Sequence, residues 1–195
     1  TLSEVNLNYG SAGLSSSFGA QFSTFNLTSG KWYAEVLTKG NSSCSTGVMN
    51  VGHYGYKHFL VQNPQNQTGN WTLFMDGTDT HSRFNGSLAD PTYTAFNNDK
   101  VLGIALNADD KELSFYVDGT LQTGLGSSGV IDISTGGSSN DAWSFTANTA
   151  NGVAVTFVWN FGQDSSFAGD ETATSNSDAN GNGTFHTAPP SGFLA

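Results

Sequence analysis

Residues 153–161 read VAVTFVWNF, with Val153, Val155, Phe157, Trp159 and Phe161 alternating with Ala154, Thr156, Val158 and Asn160. Successive side chains of a strand point to opposite faces, so this spacing predicts a strand with one face on a core. The same period recurs in KWYAEVL, Lys31–Leu37, with Trp32, Ala34 and Val36 on one face and Tyr33, Glu35 and Leu37 on the other. VLGIAL, Val101–Leu106, is a continuous apolar run, which predicts a strand covered on both faces. The acidic turn NADDKE follows, and Leu113, Phe115 and Val117 then alternate with Ser114, Tyr116 and Asp118. Asp118-Gly119 supplies the positive-φ pair of a tight hairpin. No stretch carries the apolar period of a helix, and the abundant Gly, Asn and Thr are weak helix formers. The expectation is an all-β, antiparallel sandwich. Two segments read as long loops, Pro64–Asn85 and Asp164–Thr184.

A chain of 195 residues suits a single domain, 1–195, with one core. Aromatic residues make up 12% of it, too many for a disordered chain. A formal net charge of -10 with six Lys plus Arg excludes a basic nucleic-acid interface and disfavours adsorption to anionic membranes. Cys44 is the single cysteine, so no intrachain disulfide forms. No apolar run has the length of a membrane span. The chain begins at Thr1 without Met, and the expectation is a processed product or part of a longer chain. Six N-x-S/T sequons are about what chance gives in a chain this rich in Asn, Ser and Thr, and they imply no glycosylation.

Four stretches taken in order resemble the SPRY domain family: SGKWYAEV at Ser29–Val36, STGVMNVG at Ser45–Gly52, DKVLGIALNADDKELSFYVDG at Asp99–Gly119, and the closing VTFVWNFGQDSSFAG with APPSGFLA. NFGQDSSFAG, a Gly/Asn/Asp-rich spacer and PPSGFLA together resemble the SPRY-like segments of structural proteins of marine bacteriophages. The resemblance implies a bent sandwich of two antiparallel sheets, similar to the concanavalin-type jelly roll. It also implies a non-catalytic role in which connecting loops bind protein partners. Gly103, Leu113, Phe115, Gly119, Phe161 and Gly162 are then scaffold. The implied setting is a virion, as a fibre, a capsid decoration or another exposed component, with a host surface or a neighbouring subunit as partner. A secreted or cell-surface protein, an architectural subunit that forms homo-oligomers, and a glycan-binding or carbohydrate-active domain are the alternatives.

Among candidate sites, DANGNG at Asp178–Gly183 spaces Asp178, Asn180 and Asn182 like the first half of an EF-hand calcium loop. Position twelve would be Pro189, where a bidentate Glu is needed, and no helix flanks the loop. A polar Asn-Gly turn is the favoured reading, with calcium a weak candidate and no cofactor expected. HYGYKH offers His53 and His58 near Cys44, but the spacing is not that of a zinc site. Tyr54, Tyr56 and His58 are better partner anchors on a strand end or loop. Trp71 and Trp143 stand in polar, loop-like stretches, either capping the core or forming a stacking platform for protein or sugar. Asp109, Asp110 and Glu112 lie in a turn and should be freely solvated, which does not suit the paired carboxylates of a glycosidase. His81 and His186 are isolated in polar loops. No nucleophile motif such as G-x-S-x-G occurs, so no catalytic residue is assigned.

Overall fold

The computed structural model describes residues 4–7, 19–40, 43–51, 68–76, 79–89, 91–97, 99–134, 141–149 and 155–195. Thirteen strands among them are β1 Glu4–Leu7, β2 Gly19–Phe22, β3 Lys31–Lys39, β4 Cys44–Asn50, β5 Asn70–Asp76, β6 Asp79–Phe84, β7 Ser87–Ala89, β8 Lys100–Asn107, β9 Glu112–Val117, β10 Thr120–Leu121, β11 Ile131–Asp132, β12 Trp143–Thr149 and β13 Val155–Asn160. They form two antiparallel sheets. The first runs β1-β13-β3-β8-β9-β10, with β11 also on β9, and the second runs β2-β12-β4-β5-β6-β7. The chain is an all-β sandwich.

The alternation seen in the sequence sets the inner faces. Ala34 and Val36 of β3, Leu102, Ile104 and Leu106 of β8, and Leu113, Phe115 and Val117 of β9 meet Val48, Leu73, Met75, Phe145 and Ala147 of the second sheet in one buried cluster. Each Val, Leu, Ile, Phe or Met among them contributes about 1.5–3 kcal/mol by leaving water. Asp118 (φ 47°) and Gly119 (φ 76°) form the two-residue hairpin turn, across which Val117 pairs with Thr120. The Pro64–Asn85 loop is corrected: β5 and β6 both lie within it. Trp71, Leu73 and Met75 point inward while Thr72 and Phe74 point away, and the polar residues on either side hide this short period.

The first sheet carries a further cover on its outer face. Residues 163–195 have no regular strand and lie across it, so the Asp164–Thr184 segment is the irregular stretch that the sequence suggests. Phe167 packs on Leu37, Val101 and Val158, and Phe185 packs on Tyr33 and Ala105. This explains why the VLGIAL strand is apolar throughout. Gly103 is required there, because a Cβ on it would lie 2.2 Å from the Tyr33 hydroxyl, whose ring crosses the strand.

Glu35 ties the cover down. It is fully buried on the outer face of β3 and accepts from His186 N (2.8 Å), Thr187 N (2.7 Å), Thr187 Oγ1 (2.7 Å) and Asn160 Nδ2 (3.0 Å). The Tyr33 hydroxyl, 2.9 Å from Thr187 Oγ1, extends the chain. Burial, with the Glu35 charge beside it, pushes that hydroxyl far above the ordinary phenol range, so it stays a donor. Beyond the end of β13, Leu194 takes the vacant place beside β3: its N–H donates to Lys31 O, and Tyr33 N donates to Leu194 O.

Candidate binding cleft

Where β13 ends and the tail takes over, the two sheets part at one end of the sandwich. An apolar cleft of about 360 Å³ opens there, lined by Phe25, Leu27, Trp32, Tyr33, Phe145, Phe161 and Ala195. Each wall has a local cause. Trp32 is the first inward residue of β3, and its indole Nε1 is held by Ser29 O at 2.7 Å. Phe145 is an inward residue of β12. Phe161 follows β13 and stacks on Trp159 with ring centres 5.4 Å apart and planes 4° apart. Phe25 closes the row edge-on, 5.2 Å from Phe161 and 6.4 Å from Phe145, and is 41% exposed. The Tyr33 hydroxyl is engaged with Thr187 on the tail side, so the lining offers contact area and ring faces rather than reactive groups. An opening of this size takes one or two apolar side chains of a partner.

The residues singled out from sequence fare differently. Tyr54, Tyr56 and His58, with His53, lie outside the described residues. Trp71 and Trp143 form no exposed platform: they are 1% and 0% exposed on β5 and β12 and meet edge-on at 5.2 Å inside the core. Their strands turn the large ring inward and leave Thr72 and Ser144 on the other face, which is why the surrounding sequence looks loop-like. His81 is on β6, stacked on Phe74 at 5.6 Å, while its backbone N–H donates to and its carbonyl accepts from the Tyr93 hydroxyl. His186 is part of the Glu35 clasp, with Nδ1 3.2 Å from Ser165 O. The cleft itself escaped the sequence reading, although a Phe-x-Leu before β3 and a Trp-x-Phe at the end of β13 both supply it.

Asp178, Asn180 and Asn182 form a closed turn. Asp178 Oδ1 accepts the N–H of Asn180 (2.9 Å) and of Asn182 (2.8 Å), and Oδ2 accepts that of Ala195 (3.1 Å). These donors, Asn182 first, hold the carboxyl below the ordinary aspartate range. Three amide dipoles converge on the carboxylate, so it anchors the tail wall of the cleft. Among the described residues no three His, Cys, Asp or Glu side chains converge. The Cys44 thiol is buried and pushed up to about 12, which leaves it unreactive.

The acidic turn is exposed but engaged. Asp109 Oδ1 accepts Gly30 N at 2.9 Å, and Asn107 Nδ2 donates to Asp110 (2.7 Å) and to Glu112 (3.2 Å). The expectation of free solvation gives way to this network, in which the carboxylates cap the turn and the loop before β3. Among the described residues no helix is long and apolar enough to cross a membrane.

No family model matches the chain, and no curated protein matches it. Solved structures do. The crystal structure of the TRIM65 PSpry domain is 16% identical with a TM-score of 0.51, the match covering 72% of this chain and 69% of that one. The SPRY domain of human HERC1 is 10% identical with a TM-score of 0.55, over 80% and 87% of the two chains. The fold is that of a SPRY domain. At these identities the likeness is one of fold, and the SPRY scaffold here carries its own aromatic cleft and tail clasp.

Proposed function

We propose that this SPRY-fold chain is a non-catalytic recognition domain that binds a protein partner through the aromatic cleft at one end of the sandwich. The observation that carries the reading is the cleft itself. Rings from three separate parts of the chain converge on an opening with one face of Phe25 in water, while the hydroxyl of its single titratable lining residue is held elsewhere. Such a surface stabilises a partner by burying apolar side chains around a few aromatic anchors. The finer reading places the domain on a virion, facing a host surface or a neighbouring subunit. It is supported by the NFGQDSSFAG and PPSGFLA motifs, which resemble segments of phage structural proteins. No cofactor enters this reading.

The test compares wild-type domain with Phe25→Ser, immobilised at equal loading, against solubilised host envelope and dissociated phage particles. Light scattering first establishes that the domain is a monomer. A defined polypeptide retained by the wild type and lost from Phe25→Ser supports recognition at the cleft. Equal retention by both places the contact elsewhere, and a large obligate oligomer favours the architectural alternative.

A further inference from the structure

We propose that Asn182-Gly183 is a self-modification site, at which the folded chain converts Asn182 to isoaspartate and loosens the tail beside the cleft. The inference stands apart from what the cleft binds. An Asn-Gly pair carries its own chemistry. The glycine backbone nitrogen gives up its proton to solvent and attacks the side-chain carbonyl carbon of the asparagine. The new C–N bond closes a succinimide ring, and the side-chain nitrogen takes up a proton and leaves as ammonia. Water then opens the ring at either carbonyl, giving aspartate, or isoaspartate in which the backbone runs through the side chain. No electron is transferred, and glycine puts no side chain in the path of attack. The fold decides whether the two atoms meet, because any hydrogen bond on either group must open first.

The sequence holds four Asn-Gly pairs, of which Asn151-Gly152 lies outside the described residues. Asn85-Gly86 is the turn between β6 and β7, closed by the Phe84–Ser87 pair, and Asn85 Oδ1 accepts Gly69 N at 2.8 Å. Its amide is tied across the turn. At Asn180-Gly181 the nucleophile is engaged, since Gly181 N donates to Asp178 O at 3.0 Å. Asn182-Gly183 differs from both. Asp178 holds the Asn182 backbone, taking its N–H on Oδ1 and donating N–H to its carbonyl, each at 2.8 Å. Yet among the described residues the Asn182 side chain and the Gly183 N–H have no hydrogen-bond partner, and both residues are exposed. The product does not fit this spot. A Cβ on Gly183 would stand 3.1 Å from Gly162 Cα, and Thr184 N donates to Gly162 O at 2.9 Å. Isoaspartate inserts an extra backbone carbon just before this contact. It also adds a negative charge beside Asp178, whose Oδ2 holds Ala195 N at 3.1 Å. Ala195 is the tail wall of the cleft, so conversion loosens that wall.

The test ages the whole chain at mildly alkaline pH, in buffer and in urea, and reads each site by tandem mass spectrometry of protease fragments. In buffer Asn182 is expected to convert at least about threefold faster than Asn180, and about tenfold or more faster than Asn85, as the opening of one and of several hydrogen bonds requires. In urea the three should convert at similar rates, since the dipeptide is the same. Equal rates in buffer, an order led by Asn85 or Asn180, or the same order in urea overturns the inference. Asn182→Gln should stop conversion at this site. The isoaspartyl chain, separated by ion exchange, should exchange its Thr184 and Ala195 amides about tenfold faster than fresh chain, as one lost hydrogen bond allows. The β8 amides should not change. Asn182→Asp, which carries the charge without the extra carbon, should show a smaller rise. Unchanged exchange at Thr184 and Ala195 would overturn the effect on the tail.

Discussion

Replacing Glu35 by Gln is the sharpest perturbation of this fold, because the change removes charge without removing volume. Glu35 Oε1 accepts from Thr187 N and Oγ1, and Oε2 accepts from His186 N and Asn160 Nδ2. Whichever way a Gln amide is turned, its NH2 meets a backbone N–H that has lost its acceptor. A buried donor left without a partner costs about 1–3 kcal/mol, more where the lost acceptor was charged. One backbone donor plus either Asn160 or the Thr187 hydroxyl gives about 2–4 kcal/mol for Glu35→Gln. Glu35→Ala strands every donor and should cost about 3–5 kcal/mol, in the range of breaking other buried charged contacts. The tail can limit the loss by leaving the sheet and rehydrating, so the damage should appear there first. Urea unfolding is expected to shift by the amounts stated. Hydrogen exchange should show the His186 and Thr187 amides exposed while those of β8 and β12 stay protected. If Glu35→Gln unfolds within about 0.5 kcal/mol of wild type and both amides remain protected, the clasp is not what holds the cover.

Four further outcomes test other parts of the account. Trp71→Ala should cost about 3–5 kcal/mol in urea unfolding, as a large ring removed from a core, whereas Phe25→Ser should cost about 1 kcal/mol or less. Gly103→Ala should cost about 1–3 kcal/mol through overpacking against Tyr33, and Tyr33→Phe in the same chain should recover part of it. Asp178 has a folded pKa below its unfolded one, so its contribution is present above the ordinary aspartate value and is lost as pH falls through the lower folded value. Amide shifts of Asn180, Asn182 and Ala195 should therefore move together below the ordinary aspartate range, and a transition at or above it refutes the assignment. Millimolar calcium should leave the melting temperature unchanged, since both Asp178 oxygens already hold amides; a rise would mean that the turn rearranges around the ion.

Much of the scaffold was legible because strand period and turn chemistry are local. The two faces of KWYAEVL, the doubly covered VLGIAL strand and the Asp118-Gly119 turn all follow from neighbours in sequence. What escaped depends on distance along the chain. Glu35 reads as an outward polar residue, and all its donors but the Tyr33 hydroxyl lie 125 to 152 residues away. Trp71 and Trp143 read as loop residues because the polar side chains between them and the next apolar position belong to the opposite face. DANGNG reads as a polar Asn-Gly turn with calcium a weak candidate, and what distance hides is that its Asp178 carboxylate also takes the amide of Ala195. The cleft needs Phe25, Trp32, Phe145 and Phe161 together, which only the pairing of β12 and β3 with their neighbours brings about.

The central claim, that the aromatic cleft is where a partner docks, is tested most directly by the tryptophan side-chain N–H signals in a two-dimensional NMR titration with a short peptide carrying a Phe-Leu pair. Trp32 lines the cleft, Trp159 lies beneath Phe161, and Trp71 and Trp143 are enclosed in the core. The Trp32 signal is expected to move most and Trp159 less, with Trp71 and Trp143 fixed. A saturating titration that leaves Trp32 in place, or that moves all four alike, would contradict the account.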